Sequence, residues 1–315
     1  MKTFLTSLAV SSRNHVRAGI VILIIALLSG INNPDGIIWD EMQRAEINGV
    51  ELTIYDRGTG EPVVFIHGAS GDEAAAVLRE PVLADRYRLI HFHRRGYGIS
   101  ERPESFVTTE QDASDAKAVM EYLGIERAHF VGQSGGGIVL LQVLRDFPDA
   151  VHSAALLEPA LMSYFETTES SQTLWEAFAT ATSLHEAGDD AGAADTFLSE
   201  VCGENYREIF NQTMPEGWFE RFVAEINWYL SHSQPAGYSW SFTGEDAKQF
   251  SLPVLNIAGE NTKPYFMDAY NELSMWFPQA ENVVLPDANH CINHSNPAGA
   301  AEYLADFFSR HPIND

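Results

Sequence analysis

Ala128-His129-Phe130-Val131-Gly132-Gln133-Ser134-Gly135-Gly136-Gly137 runs from an apolar, strand-like segment through Gly-x-Ser-x-Gly into an apolar helix. A serine flanked by glycines at ±2 belongs to a turn too tight for neighbouring side chains. Such a turn lifts the hydroxyl above a sheet and points a helix N-terminus at the reacting group. The stretch lacks the Lys-Ser/Thr pair that follows the second glycine of a P-loop, and Gly-x-Gly-x-x-Gly is not met. A nucleophilic Ser134 is therefore the first expectation.

Outward from this stretch, apolar runs at 63–66, 87–92, 128–131, 153–157, 254–257 and 282–285 alternate with helical stretches at 110–123 and 136–147. Alternation of this kind predicts an α/β fold with a mostly parallel sheet covered on both faces. The turn pair Asn48-Gly49 between two alternating segments predicts a β-hairpin at the start. The connection from Glu158 to Pro253 is far too long for a simple crossover. It is read as an inserted helical lid over 159–251, dividing a core of 37–158 and 252–315.

Three further segments fall at matching places: Val63-Val64-Phe65-Ile66-His67-Gly68-Ala69-Ser70-Gly71, Arg94-Arg95-Gly96-Tyr97-Gly98-Ile99-Ser100, and Leu285-Pro286-Asp287-Ala288-Asn289-His290 before a helix at 297–309. Together with the serine turn, they resemble the α/β-hydrolase superfamily, in its lidded branch of esterases, lipases, C–C hydrolases and cofactor-free perhydrolases. The resemblance spans about 44–309. It implies that His290 is the base a weakly nucleophilic serine needs, and that the backbone N–H groups of Ala69 and Gly135 form the oxyanion hole. It implies no cofactor and no metal. His67, His91 and His93 are read as structural, and His294 matches no zinc-protease pattern.

The triad acid departs from the common pattern. Many relatives carry Gly-x-x-Asp after the strand that follows the lid, whereas Gly259-Glu260-Asn261-Thr262 puts threonine there. Leu156-Leu157-Glu158-Pro159 offers a carboxylate at the superfamily's alternative position, and an acid ending an apolar strand needs a reason to be buried. Glu158 is favoured, with Glu260, Asp268 and Asp287 as alternatives. The implied chemistry is hydrolysis of a neutral, apolar carboxylic ester through an acyl-enzyme. A C–C bond hydrolase, a perhydrolase and a non-catalytic ligand-binding homologue are the competing readings.

Charge narrows the partners. Nineteen Lys and Arg face 44 Asp and Glu, for a net charge of -25, and no basic run exists to bind nucleic acid. The segment 159–250 holds fifteen acids against Arg207, Arg221 and Lys248, which disfavours anionic substrates. The same segment carries 16 of the 35 aromatic residues. Of these, Trp175, Trp218, Phe222 and Trp228 are expected to line an apolar pocket. Cys202 and Cys291 are read as two free, buried thiols. Lys2, Arg13 and Arg17 precede fourteen uncharged residues at 18–31, the pattern of a signal peptide. Export to the periplasm or beyond is expected for 1–31, with an uncleaved anchor tethering the protein to a membrane as its rival.

Overall fold

In the computed structural model, residues 41–313 are described; the expected export segment at 1–31 lies outside them. Strands β1 (Gln43–Ile47) and β2 (Val50–Arg57) pair antiparallel. Asn48 and Gly49 between them have φ of 49° and 77°. Positive φ at both central residues is the turn whose twist matches a hairpin, which is why Asn-Gly occupies it.

The chain continues through β3 (Pro62–Ile66), β4 (Arg88–His93), helix α1 (Thr109–Tyr122), β5 (Ala128–Gln133), α2 (Gly135–Asp146) and β6 (Val151–Leu157). After an insertion come β7 (Val254–Gly259), α8 (Pro264–Trp276), β8 (Glu281–Leu285) and α9 (Pro297–Arg310). The strands form one sheet in the order β1-β2-β4-β3-β5-β6-β7-β8, parallel from β4 onward. Every residue of β5 is buried, as expected for a central strand covered on both faces. Helix α2 buries Ile138 through Leu144 between the sheet and its neighbours, α1 among them.

The insertion holds α3 (Gln172–Glu186), α4 (Asp190–Cys202), α5 (Tyr206–Thr213), α6 (Trp218–Trp228) and α7 (Gln234–Ser239), besides shorter turns. Its aromatic residues chiefly bind these helices to one another. Phe197 stacks between Phe178 and Phe222 at 5.9 and 6.0 Å, and Phe210 lies 4.8 Å from Trp218. Short helices need large side chains to make a core, so this use of aromatics is unsurprising. Among the described residues, no helix is long and apolar enough to cross a membrane.

The cysteines correct the sequence reading. Cys202 and Cys291 form a disulfide, with Cα atoms 5.3 Å apart across 89 residues of sequence. Two cysteines in different motifs, one ending α4 and one following His290, gave no sequence signal of pairing. Only the fold brings them together.

Candidate active site

The parallel strands end on one edge, and the expected reacting groups follow those ends. His67-Gly68-Ala69 follows β3, Ser134 follows β5, Glu158 follows β6, and His290 follows β8. Ligands of open α/β sheets bind at this edge because loops from several strands converge there.

Ser134 sits at φ 51° and ψ -120°, outside the regions an L-residue ordinarily occupies. Its N–H donates to the Leu157 carbonyl at 3.0 Å, and its own carbonyl accepts from Gly137 at 2.9 Å and Ala160 at 3.0 Å. These bonds hold the strained turn. A methyl group on Gly132 would overlap Gly136, and one on Gly136 would overlap the Ile66 carbonyl. Both glycines of Gly-x-Ser-x-Gly are thus required by packing around the turn.

The loop carrying Ala69 is fixed from several sides. The Arg94 guanidinium donates to the carbonyls of His67 at 3.1 Å and Gly68 at 2.7 Å, and the Arg94 backbone N–H donates to His67 Nε2 at 2.9 Å. Glu73 accepts from the Gly68 N–H. From α6, buried Glu225 accepts from the N–H groups of Gly71 at 3.1 Å and Gly98 at 2.6 Å. Gly135 follows Ser134 in sequence, and Ala69 lines a cavity with Ser134 from the loop after β3, so both backbones border the serine where donors for an oxyanion would have to stand.

His290 is positioned by three contacts. Gln133, the residue before the nucleophile, donates from Nε2 to the His290 carbonyl at 2.8 Å. Phe266 stacks on the imidazole at 3.6 Å, with planes 5° apart. Glu158 Oε2 lies 2.8 Å from His290 Nδ1. An ionised carboxylate only accepts, so Nδ1 carries the proton and Nε2 is left free to act as a base.

Glu158 is almost fully buried. It also accepts from the Gly259 N–H at 2.7 Å and from the Thr262 hydroxyl at 2.8 Å. Three donors on one carboxylate offset the cost of burying it. Thr262, the residue that replaces the familiar aspartate, thus serves the carboxylate that stands in for it. The alternatives lie elsewhere: Glu260 accepts from the Asp287 N–H at 3.2 Å, and Asp268 from the Ser170 hydroxyl at 2.6 Å.

Two cavities meet at Ser134. One is lined by Ala69, Glu73, Phe197, Phe210, Phe222 and His290, among others. The other is lined by Gly68, Arg94, Asp112, Gly135, Tyr229 and Gln234, among others. Of the four expected pocket aromatics, only Phe222 lines either cavity. Trp175 donates to Ser171, Trp218 donates to Asn211, and Trp228 stacks on His232, so these three pack the insertion instead.

A match to the family described as alpha/beta hydrolase fold covers residues 61–297. The chain belongs to the α/β-hydrolase family. It is 24% identical to 2-(acetamidomethylene)succinate hydrolase of Mesorhizobium japonicum, over 84% of this chain and 94% of that one. It is 25% identical to the carboxylesterase nap of Bacillus subtilis, over 79% of each chain. Among solved structures, the carboxylesterase CesB of Bacillus subtilis superposes with a TM-score of 0.69 at 19% identity, covering 88% of this chain and 94% of that one.

Within this α/β-hydrolase site, Gln133, Phe266, Glu73 and Glu225 escaped the sequence reading. Their partners are far away in sequence or are backbone atoms, so no local pattern marks them. Burial shifts several of the neighbouring groups. It pushes Glu73 up to about 8, against the pull of the Gly68 N–H and Arg94. It pushes Glu225 up to about 7, with nearby Asp72 adding to the rise. It also holds His67, His91 and His93 below their ordinary value, and takes His129 and His294 down to about 3.

These shifts oppose one another in stability. Below about pH 6.5 the unfolded histidines bind protons that the folded ones refuse, so stability is lost as pH falls. Glu73 and Glu225 hold protons in the folded state that the unfolded chain releases, so stability is lost as pH rises from the unfolded value near 4.5 through 7 and 8. The histidines outnumber the carboxyls in the shared acidic window. The melting temperature is therefore expected to peak near pH 6.5 and fall on both sides (about, from the reference histidine value). A monotonic rise between pH 6 and 9 in differential scanning calorimetry would contradict this balance.

Proposed function

We propose that this α/β-hydrolase is a serine hydrolase that cleaves a neutral carboxylic ester through an acyl-enzyme. The observation that carries this reading is the buried Glu158–His290 pair, with its free imidazole nitrogen on the cavity that Ser134 also lines. His290 Nε2 takes the Ser134 proton as Oγ attacks the ester carbon. The N–H groups of Ala69 and Gly135 receive the developing oxyanion. The imidazolium, steadied by Glu158, then protonates the departing alkoxide. Water repeats the sequence with His290 as base and releases the acid.

The carboxylesterases similar to this chain support an ester as the scissile group. The acidic excess of the insertion, acting as a lid, supports a neutral substrate. A relative named for a succinate derivative makes the opposite case, so charge is the variable to test. At low salt, kcat/KM for a neutral ester is expected to exceed that of a size-matched dicarboxylate half-ester by about tenfold. Equal values would count against the neutral reading, and absence of ester turnover against the esterase itself. The same reading includes export, supported by the Cys202–Cys291 disulfide, which suits an oxidising compartment.

A further inference from the structure

The cavity that Ser134 shares with His290 holds an acid that the hydrolytic chemistry does not use. Glu73 lines it beside Phe197, Phe210 and Phe222, and among the described residues no lysine or arginine does. Glu73 Oε2 accepts from the Gly68 N–H, and among the described residues no donor meets Oε1. The residue is half-buried, so that oxygen stays open to a ligand rather than sealed inside the fold. A Cβ placed on Gly68 would stand 2.8 Å from Glu73 Oε2 and 2.9 Å from Ser134 Cβ. The carboxyl is therefore beside the nucleophile, within reach of a short arm on the scissile ester.

We propose that this cavity is an amine-binding subsite, in which the Glu73 carboxylate pairs with an ammonium group on the alcohol arm of the ester and the aromatic wall packs on its alkyl groups. An ammonium gains from a carboxylate and from aromatic faces at once. The inference rests on the serine-esterase reading, which fixes the direction of the substrate. His290 must protonate the departing alkoxide, and it lines this cavity and not the second one, so the alcohol arm lies here. It also refines the charge in that reading: an anion stays excluded, and the bound ammonium is neutralised by the carboxylate.

The charges around Glu73 favour an incoming cation. Arg94 is ion-paired to Asp112, donates to the His67 and Gly68 carbonyls, and lines the second cavity instead. His294, on the wall of this cavity, is held down to about 3 by burial and stays uncharged. Burial pushes the Glu73 carboxyl up to about 8; the Gly68 N–H and Arg94 pull it back, and Glu225 adds to the rise. Near pH 7 a tertiary alkylamine arrives as its ammonium, and Glu73 gives its proton to water as the pair forms. A substrate carboxylate would meet a like charge there, and an alkyl arm would leave the carboxyl without a counter-charge.

Three butyrate esters with arms of one shape separate these cases: 2-(dimethylamino)ethyl, 3-methylbutyl and 2-carboxyethyl butyrate. With the full chain near pH 7, kcat/KM for the amine is expected to exceed that of the 3-methylbutyl ester by at least about tenfold, with the carboxylate lowest. The amine preference is expected to survive about 1 M salt, where a screening length of about 3 Å removes long-range attraction to the acids of the insertion. Glu73→Gln keeps an acceptor for the Gly68 N–H and removes the charge, and is expected to bring the amine-to-alkyl ratio close to one. Calorimetric titration of Ser134→Ala with the same two esters repeats the comparison as binding, with a proton released to the buffer only for the amine. Equal kcat/KM or equal affinity for amine and alkyl arms, a preference erased by salt, or a ratio unmoved by Glu73→Gln would overturn the subsite. Preferential binding of the amine ester to Ser134→Ala, without turnover of any ester by the wild type, would support the subsite and instead overturn the esterase reading.

Discussion

Glu158→Gln is expected to lower kcat on a neutral ester by about ten-thousand-fold with little change in KM. The expectation follows from how the carboxylate is used. Its three donors, Gly259 N–H, Thr262 Oγ and His290 Nδ1–H, all require an acceptor. A glutamine has one acceptor and one donor end, so its NH2 must face one of the three. If it faces the imidazole, the proton is driven to Nε2, and the base is lost at the nitrogen meant for Ser134. If it faces Gly259, two donors collide in a buried site. Either way the imidazolium formed during attack loses its counter-charge. Gln variants at Glu260 and Asp268 are expected to stay within about threefold of the wild type, since neither carboxylate touches His290 (surface substitutions of this kind change little). Near-wild-type turnover by Glu158→Gln, with loss in either of the others, would transfer the acid's role.

Removing the disulfide has the largest expected effect on stability. Cys202 ends α4, and Cys291 immediately follows His290, so the bond ties the insertion to the histidine loop across 89 residues. In the chain-entropy account, closing a loop of that length stabilises the fold by about 4–5 kcal/mol, mainly by restricting the unfolded chain. Cys202→Ser is expected to lose most of that amount in urea unfolding. Reductant should lower the midpoint of the wild type while leaving the variant unmoved. A second bond reinforces the tie: Asn289, the residue before His290, donates to the Cys202 carbonyl. Reaction of two thiols with an alkylating agent in unreduced, unfolded protein would show that no such bond forms.

The fold was legible because its signals are local. Asn48-Gly49, the period of the apolar runs and the glycines around Ser134 each encode a constraint within a few residues. The structure places strands and helices there to within a residue or two. The acid was legible through an oddity, a glutamate closing the apolar strand β6, even though Thr262 occupies the familiar position. What could not be read depends on contacts between distant segments. Glu225 serves the Ala69 loop from α6, and Gln133 holds the His290 backbone from 157 residues away. The aromatic residues misled for the same reason. Trp175, Trp218 and Trp228 have the composition of pocket walls, but short helices use such side chains to pack against each other. Of the four expected residues only Phe222 reaches a cavity beside Ser134, where Phe197 and Phe210 join it.

The central claim is that Ser134 is an activated nucleophile. Treating the folded full chain with a fluorophosphonate probe and locating the adduct by peptide mass spectrometry tests it most directly. The account predicts one label, on Ser134, absent from Ser134→Ala and formed far more slowly in Glu158→Gln. No label on folded protein, or a label carried by another residue and retained in Ser134→Ala, would contradict it.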